Sequence, residues 1–319
     1  MEKIIVLDKK TLGNDICFDD LESLGVVEYY ENISKDQVKE AIKDATIVLT
    51  NKVVLNEENL SDNNSVKLIC VCATGTNNID LNYARKSGIA VTNVAGYSTN
   101  TVAQHTFSML FYLLESLNYY NEYTYTGEYT RSDIFTHINR PFNELQGKTY
   151  GIIGMGSIGQ KVASIASAFG CRVIYYSTSG QNSIEEYERV ELNKLLTESD
   201  IVSIHCPLND KTNNLIGINE LEKMKSTAYI LNLGRGGIIN EKDLAYALNN
   251  NLIMGAGIDV LVHEPMLNKN PLLSVRDKNK LIVTPHIGWA SVEARKRLVN
   301  EVVENIKAYL SSSERNRIV

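Results

Sequence analysis

The chain has no excess of positive charge: 32 Lys and Arg stand against 38 Asp and Glu, a formal net charge of -6 at pH 7. Nucleic-acid binding draws much of its affinity from Lys and Arg neutralising phosphates, so this balance argues against that class of partner. An anionic small molecule needs only a local cationic site and is not excluded. Long hydrophobic runs are also missing. The apolar run in the opening segment, MEKIIVLDKK, is too short for the core of a signal peptide. Nowhere does the chain approach the roughly 20 apolar residues that cross a bilayer, so no membrane role is expected. Cysteine is scattered and odd in number: five residues, Cys17, Cys70, Cys72, Cys171 and Cys206, with no CxxC pair. A disulfide framework or a zinc site is not expected from that pattern, and no metal is. These absences together predict a reduced, cytoplasmic protein.

What remains is an ordinary globular composition in 319 residues, 44% hydrophobic and 22% charged, enough for about two domains or one large one. Short apolar runs alternate with helical spacing. Strands are predicted at 4–7, 47–50, 68–72, 90–93, 148–153, 172–176, 201–204, 228–231, 256–259 and 281–284. A long helix is predicted over about 100–117, where Val102, Phe107, Leu110 and Leu114 share one face, and a last amphipathic helix over about 291–310. Between 119 and 145 the rhythm breaks into a Tyr-rich stretch that reads as irregular, either an arm packed on a second subunit or a surface loop. Repeated β-α-β units with short apolar strands imply a parallel sheet covered on both faces, an α/β fold.

Gly154-Met155-Gly156-Ser157-Ile158-Gly159 is a G-x-G-x-x-G between an apolar strand and a predicted helix at 160–169. In that context the first glycine permits a tight turn, the second lets a pyrophosphate approach the backbone, and the third lets helix and strand pack closely. The helix N-terminus then offers N–H groups to the phosphates. At the end of the following strand, where many NAD-binding proteins place an acid for the ribose 2′-hydroxyl, the chain has Ser177-Thr178-Ser179-Gly180. No carboxylate there repels a 2′-phosphate, and no Arg or Lys there attracts one. NAD is the expected cofactor, with NADP left open.

Three charged or titratable side chains follow predicted strands further on: Arg235 within Gly234-Arg235-Gly236-Gly237, Glu264 after Gly257-Ile258-Asp259-Val260, and His286 after Thr284-Pro285. Open α/β sheets bind ligands at the carboxyl ends of their strands. Taken singly, each residue has a plain alternative as a surface charge, a solvated loop acid or a structural histidine. Taken with the glycine loop they suit hydride transfer to a 2-oxo acid. A guanidinium binds carboxylate or carbonyl oxygen, an imidazole gives the proton, and an acid orients the imidazole.

With Gly151 to Gly159, the segments LNLGRGGIIN (231–240), GIDVLVHEP (257–265) and TPHIGWAS (284–291) resemble the D-isomer-specific 2-hydroxyacid dehydrogenase family. The resemblance covers nearly the whole chain, most closely residues 68–300. It implies two doubly wound, Rossmann-like parallel-sheet domains: a discontinuous substrate domain at 1–98 and 290–319, and a dinucleotide domain at 99–289, closing to exclude water. It makes Arg235 the residue that binds substrate and polarises its carbonyl, Glu264 the partner of His286, and His286 the general acid/base. Asp259 would bind the nicotinamide carboxamide. Backbone N–H groups of Thr74 and Gly75 would hold the substrate carboxylate, with Thr74 also at the cofactor. Val102 would lie near the nicotinamide, Cys206 and Pro207 beside the cofactor ribose, and Leu233, Gly234 and Gly288 among the further cofactor contacts. For the Cys206 thiol, packing is expected rather than chemistry.

Gly96-Tyr97-Ser98, Val102-Ala103-Gln104-His105 and Trp289 look like the glycerate dehydrogenase (hydroxypyruvate reductase) branch. Trp289, the only tryptophan, either narrows the pocket for short substrates or serves packing. The branch implies reduction of hydroxypyruvate or glyoxylate to D-glycerate or glycolate, a homodimer, and no additional regulatory domain. D-lactate-type or branched 2-oxo acid reduction is the rival within the class, ahead of formate or phosphite oxidation. An NAD(H)-sensing binding protein, like the related co-repressors, is the rival outside it.

Overall fold

The computed structural model describes residues 2–62 and 65–319. The chain divides into two compact units, Met1–Ser98 with Ala290–Val319, and Thr99–Trp289.

The first unit is built on five parallel strands, β1 (Glu2–Val6), β2 (Gly25–Tyr29), β3 (Ile47–Thr50), β4 (Leu68–Val71) and β5 (Ala90–Thr92), in the order β2-β1-β3-β4-β5. β3 and β4 are buried along their whole length, as central strands covered on both faces must be. The edge strand β2 alternates half-buried and exposed residues. The C-terminal tail lies along β5, where Ile318 N–H donates to Val91 O at 2.7 Å. The helix Val292–Leu310 is capped by Ser291, whose hydroxyl accepts from Ala294 N–H at 3.2 Å. It buries Leu298, Val299, Val302, Val303 and Ile306 at three- and four-residue spacing. The strand order reverses between β1 and β3. There the buried carboxylate of Asp8 accepts from the N–H groups of Asn51 (2.9 Å), Lys52 (2.6 Å) and Val53 (3.2 Å). Burial pushes the Asp8 carboxyl above its ordinary value against these bonds.

The second unit holds seven parallel strands: β6 (Thr149–Ile153), β7 (Arg172–Tyr176), β8 (Glu188–Arg189), β9 (Ile201–Ile204), β10 (Tyr229–Asn232), β11 (Gly255–Ile258) and β12 (Leu281–Val283). Their order is β12-β11-β10-β9-β6-β7-β8, so it reverses between β6 and β9. Helices α1 (Thr99–Leu114), α2 (Leu117–Tyr125), α3 (Ser157–Ala168) and α4 (Glu241–Asn249) belong to this unit. On one face of the sheet α1 and α3 bury Phe107, Leu110, Val162 and Ala166 against Tyr150, Ile152 and Tyr175. On the other, Leu195, Leu221, Leu244 and Leu248 pack against Ile204, Ile230 and Ile258. Both faces are covered, so the expected doubly wound α/β class is what the chain adopts.

Three expectations need correction. The long helix ends at Leu114 rather than 117, because the chain turns at Ser116, which has φ 52°. The stretch read as irregular from 119 begins inside a helix, α2, and only its remainder is irregular apart from a short turn at Tyr129–Arg131. α2 has no buried residue, so no apolar periodicity announces it. Tyr120 ties it to the returning chain by donating to Arg140 O at 2.8 Å, and Tyr123 stacks on His137 at 3.8 Å between ring centres. The helix expected at 160–169 starts three residues earlier, at Ser157.

Candidate active site

The glycine loop sits at the β6–β9 reversal, the crevice where doubly wound sheets take ligands. Gly154 has φ 96°, and a Cβ there would stand 2.7 Å from the Cys206 nitrogen. The turn therefore passes against the backbone that follows β9. A Cβ on Gly159 would run into the carbonyl oxygen of Gly154, whereas one on Gly156 would meet nothing within 4 Å. The first and third glycines close the turn, and the second opens it outward. Ser157 and Ile158 begin α3, and first-turn N–H groups have no partner within their helix.

A groove of about 600 Å³ runs from this loop. Gly154, Met155 and Gly156 form one wall, Thr178 and Ser179 after β7 another, and His205, Cys206 and Pro207 after β9 a third. Ser177 Oγ and His205 Nδ1 are buried with no hydrogen-bond partner in the structure. His205 Nε2 lies 3.0 Å from Ser203 Oγ, and burial pushes the ring's pKa down to about 3, so it is neutral. His205, which lines the groove with its Nδ1 unsatisfied, and the open glycine cradle fit a polar, phosphate-bearing ligand such as a dinucleotide. Cys206 is 3% exposed, and burial pushes its thiol up to about 11, which keeps it protonated at neutral pH. Lys211 also lines the groove. No Arg or Lys stands among Ser177 to Gly180, as expected; Lys211 comes from the loop after β9.

The loop carrying Arg235 is organised by Asn232, the last residue of β10. Its side chain accepts from Gly234 N–H at 3.1 Å and donates to Arg235 O at 2.9 Å. Leu233 and Gly234 are buried beneath the loop. A Cβ on Gly236 would collide with the Leu261 carbonyl, so the loop after β10 packs directly on the loop after β11. Arg235 is half-buried and its Nη1 donates to Gly234 O at 2.8 Å.

His286 and Glu264 meet in this unit. His286 Nδ1 lies 2.7 Å from Glu264 Oε2, while Glu264 Oε1 accepts from Leu261 N–H at 2.9 Å. The carboxylate is thus fixed at both oxygens, and it leaves Nε2 as the other ring nitrogen. His286 has φ 55°, a left-handed conformation that costs a non-glycine residue about 1 kcal/mol or more. Asp259 holds that turn. Its backbone oxygen accepts from His286 N–H at 2.9 Å. Its carboxylate accepts from Thr284 Oγ1 (2.6 Å), Ile287 N–H (2.9 Å) and Gly288 N–H (2.9 Å). His105 on α1 completes the group, with Nε2 3.1 Å from Thr284 Oγ1 and 3.5 Å from Asp259 Oδ1. Burial alone raises the Asp259 pKa. The His105, Thr284, Gly288 and Ile287 bonds outweigh it and leave the carboxyl below its ordinary value.

Val102 is buried on α1 in the core cluster of that unit, and Trp289, half-buried, is its last residue. Thr74 and Gly75 belong to the first unit, just after β4, where Thr74 Oγ1 donates to Val94 O at 2.9 Å and Asn93 Nδ2 donates to Thr74 O at 2.7 Å. Asn232, His105 and Thr284 were not singled out as site residues from the sequence. A polar residue at the end of an apolar strand is the available signal for the first and third. His105 is marked only as part of the segment 102–105 that resembles the glycerate dehydrogenase branch, without a role of its own.

An imidazole with one nitrogen committed to a carboxylate keeps the other for a proton. A dinucleotide held by the glycine loop on the same sheet would supply a hydride, so fold and site define a nicotinamide-dependent dehydrogenase. The chain belongs to the D-isomer specific 2-hydroxyacid dehydrogenase family, whose NAD binding domain matches residues 107–288. It is 36% identical over 320 residues to the hydroxypyruvate reductase of Blautia hydrogenotrophica, covering 98% of each chain. It is 35% identical over 289 residues to the glycerate dehydrogenase of Methylorubrum extorquens, covering 91% of this chain and 90% of that one. Among solved structures, an acyclic imino acid reductase in complex with NADPH and D-Arg superposes with a TM-score of 0.88 at 29% identity, covering 99% of this chain and all of that one.

Proposed function

We propose that the chain reduces hydroxypyruvate and glyoxylate to D-glycerate and glycolate. The observation that carries the chemistry is the His286–Glu264 pair, 2.7 Å apart on a turn held by Asp259. The names of the relatives carry the choice of substrate. A nicotinamide dinucleotide held by the glycine loop would supply the hydride. His286 Nε2 delivers the proton to the forming alkoxide, and Glu264 holds the ring and balances the imidazolium charge. Arg235 engages the substrate carboxylate and polarises the carbonyl through its forked donors. The backbone of Thr74 and Gly75 is assigned the same carboxylate. Asp259 is assigned the nicotinamide carboxamide, Val102 the ring's surroundings, and Trp289 the wall that limits substrate length.

A spectrophotometric assay with hydroxypyruvate, glyoxylate, pyruvate and a branched 2-oxo acid tests the reading. Turnover should be fastest with the first two, and His286→Ala should lower kcat by about 100-fold or more. Faster turnover of pyruvate or the branched acid discards the substrate and keeps the class. Unimpaired turnover in the variant removes His286 from the proton step.

The apolar surface after α2, with Phe135 90%, Ile138 73%, Ile134 58% and Phe142 56% exposed, is assigned to contact with a second copy of this chain. Large apolar side chains exposed close together in the chain are a common mark of interaction sites. All five cysteines are unpaired, and no helix among the described residues is long and apolar enough to cross a membrane. A cytoplasmic location is proposed on the first ground.

A further inference from the structure

The groove beside the glycine loop is lined largely by polar residues: Thr178, Ser179, Gln181 and Asn182 after β7, and Asn209, Asp210 and Lys211 after β9. Both segments are built by local hydrogen bonds. Gly180 N–H donates to Ser177 O at 3.2 Å and Arg189 Nη1 to Gly180 O at 3.0 Å. Lys211 N–H donates to Asn209 Oδ1 at 2.9 Å and Thr212 Oγ1 to Pro207 O at 2.7 Å. No carboxylate occurs from Ser177 to Asn182. Tyr176 ends β7, and the residues that follow, where an acid would receive a ribose 2′-hydroxyl, are Ser177, Thr178 and Ser179, of which Thr178 and Ser179 line the groove. A hydroxyl can donate to a phosphate oxygen, where an acid in its place would repel the same group.

We propose that this groove takes a 2′-phosphorylated adenosine with Lys211 as its cation, so that NADPH rather than NADH is the preferred reductant. The proposal rests on the dehydrogenase reading and adds the cofactor's phosphate to it. An ammonium is a mobile point charge with three donors and suits a phosphate monoester at a groove rim. Asp210 is the counterweight. If NADH is preferred, its carboxylate accepts the ribose 2′-hydroxyl in place of the acid missing from β7. The two neighbouring residues therefore make opposite predictions.

Isothermal titration of the full chain with adenosine 2′,5′-bisphosphate and with 5′-ADP separates them without any turnover. The bisphosphate should bind at least about tenfold more tightly, the scale of one partly screened charge-assisted contact. Lys211→Gln should remove most of that ratio while 5′-ADP binds as before, and Asp210→Asn should tighten the bisphosphate. Thermal melting confirms that both variants are folded. The proposal is overturned by 5′-ADP binding as tightly as the bisphosphate, by a ratio that Lys211→Gln does not change, or by Asp210→Asn weakening 5′-ADP. Binding of 5′-ADP without preference leaves the dehydrogenase reading intact. Failure of both nucleotides to bind overturns the two together.

Discussion

Replacing Asp259 by Asn tests whether the catalytic turn is held by one buried charge. The Asp259 side chain is 3% exposed. Its Oδ1 accepts from Thr284 and Ile287 and its Oδ2 from Gly288. Asparagine keeps one acceptor oxygen. Placing its amide group at the Oδ2 position sets it against Gly288 N–H, and the flipped rotamer sets it against both donors at Oδ1. A Cβ on Gly288 would lie 2.7 Å from Oδ2, so the backbone has little room to retreat. At least one charge-assisted bond is lost and a buried N–H is orphaned, at a cost of about 2 kcal/mol. For a unit of this size that lowers Tm by roughly 4–8 °C. The same bonds hold His286 at positive φ, so kcat should fall by about tenfold or more.

The pH dependence gives the sharper check. The carboxyl's folded pKa is depressed, so its stabilisation is present above the unfolded value of about 3.9 and is lost as pH falls through the lower folded value. The Tm gap between wild type and Asp259→Asn should be constant from pH 6 to 8 and should narrow below about pH 4. A gap of the same width at pH 3.5, or an Asn variant with wild-type Tm and kcat, would refute the reasoning.

Gly159→Ala forces a methyl group into the Gly154 carbonyl. The variant should lose about 1–3 kcal/mol of stability and weaken 5′-ADP binding, read by denaturant unfolding and titration calorimetry; retention of both would show that the loop yields. Phe135→Asp places a charge among the exposed apolar residues 134–142. Sedimentation velocity should show the protein shift from dimer to monomer, and an unchanged dimer moves the interface elsewhere.

The legibility of the fold followed the position of each strand. Strands at 47–50, 172–176 and 201–204 lie where the apolar runs place them, because central parallel strands are buried on both faces and read as continuous runs. The edge strands Gly25–Tyr29 and Glu188–Arg189 were not anticipated. The first exposes alternate residues, including Val26 at 59%, and the second is exposed at both positions. Neither leaves a run to read. β10 and β11 each lie one residue from their expected bounds. Asn232 ends β10 because its side chain bonds the following loop, a use that hydropathy does not show. Lys211 shares a groove with residues after β7 although the two segments lie far apart in the chain, a juxtaposition that sequence spacing does not show.

The two acids after β11 show what spacing leaves undecided. Both follow β11, and the sequence separates them only through the family resemblance, which gives Glu264 to His286 and Asp259 to the carboxamide. Their surroundings separate them, since the Glu264 side chain is 34% exposed and the Asp259 side chain 3%. Asp259 spends its carboxylate on backbone N–H groups and a hydroxyl, so it fixes the path of the chain on either side of His286. Glu264 spends one oxygen on Leu261 N–H and offers the other to the ring, so it fixes the imidazole's direction. Between them they determine both the backbone from which His286 projects and the nitrogen it leaves available. Packing alone does neither, because the ring is 21% exposed. The geometry of proton delivery is therefore set by charge-assisted bonds from the loop after β11. A lesion in Glu264 should reach the proton step alone, whereas one in Asp259 should also reach the carboxamide contact assigned to it.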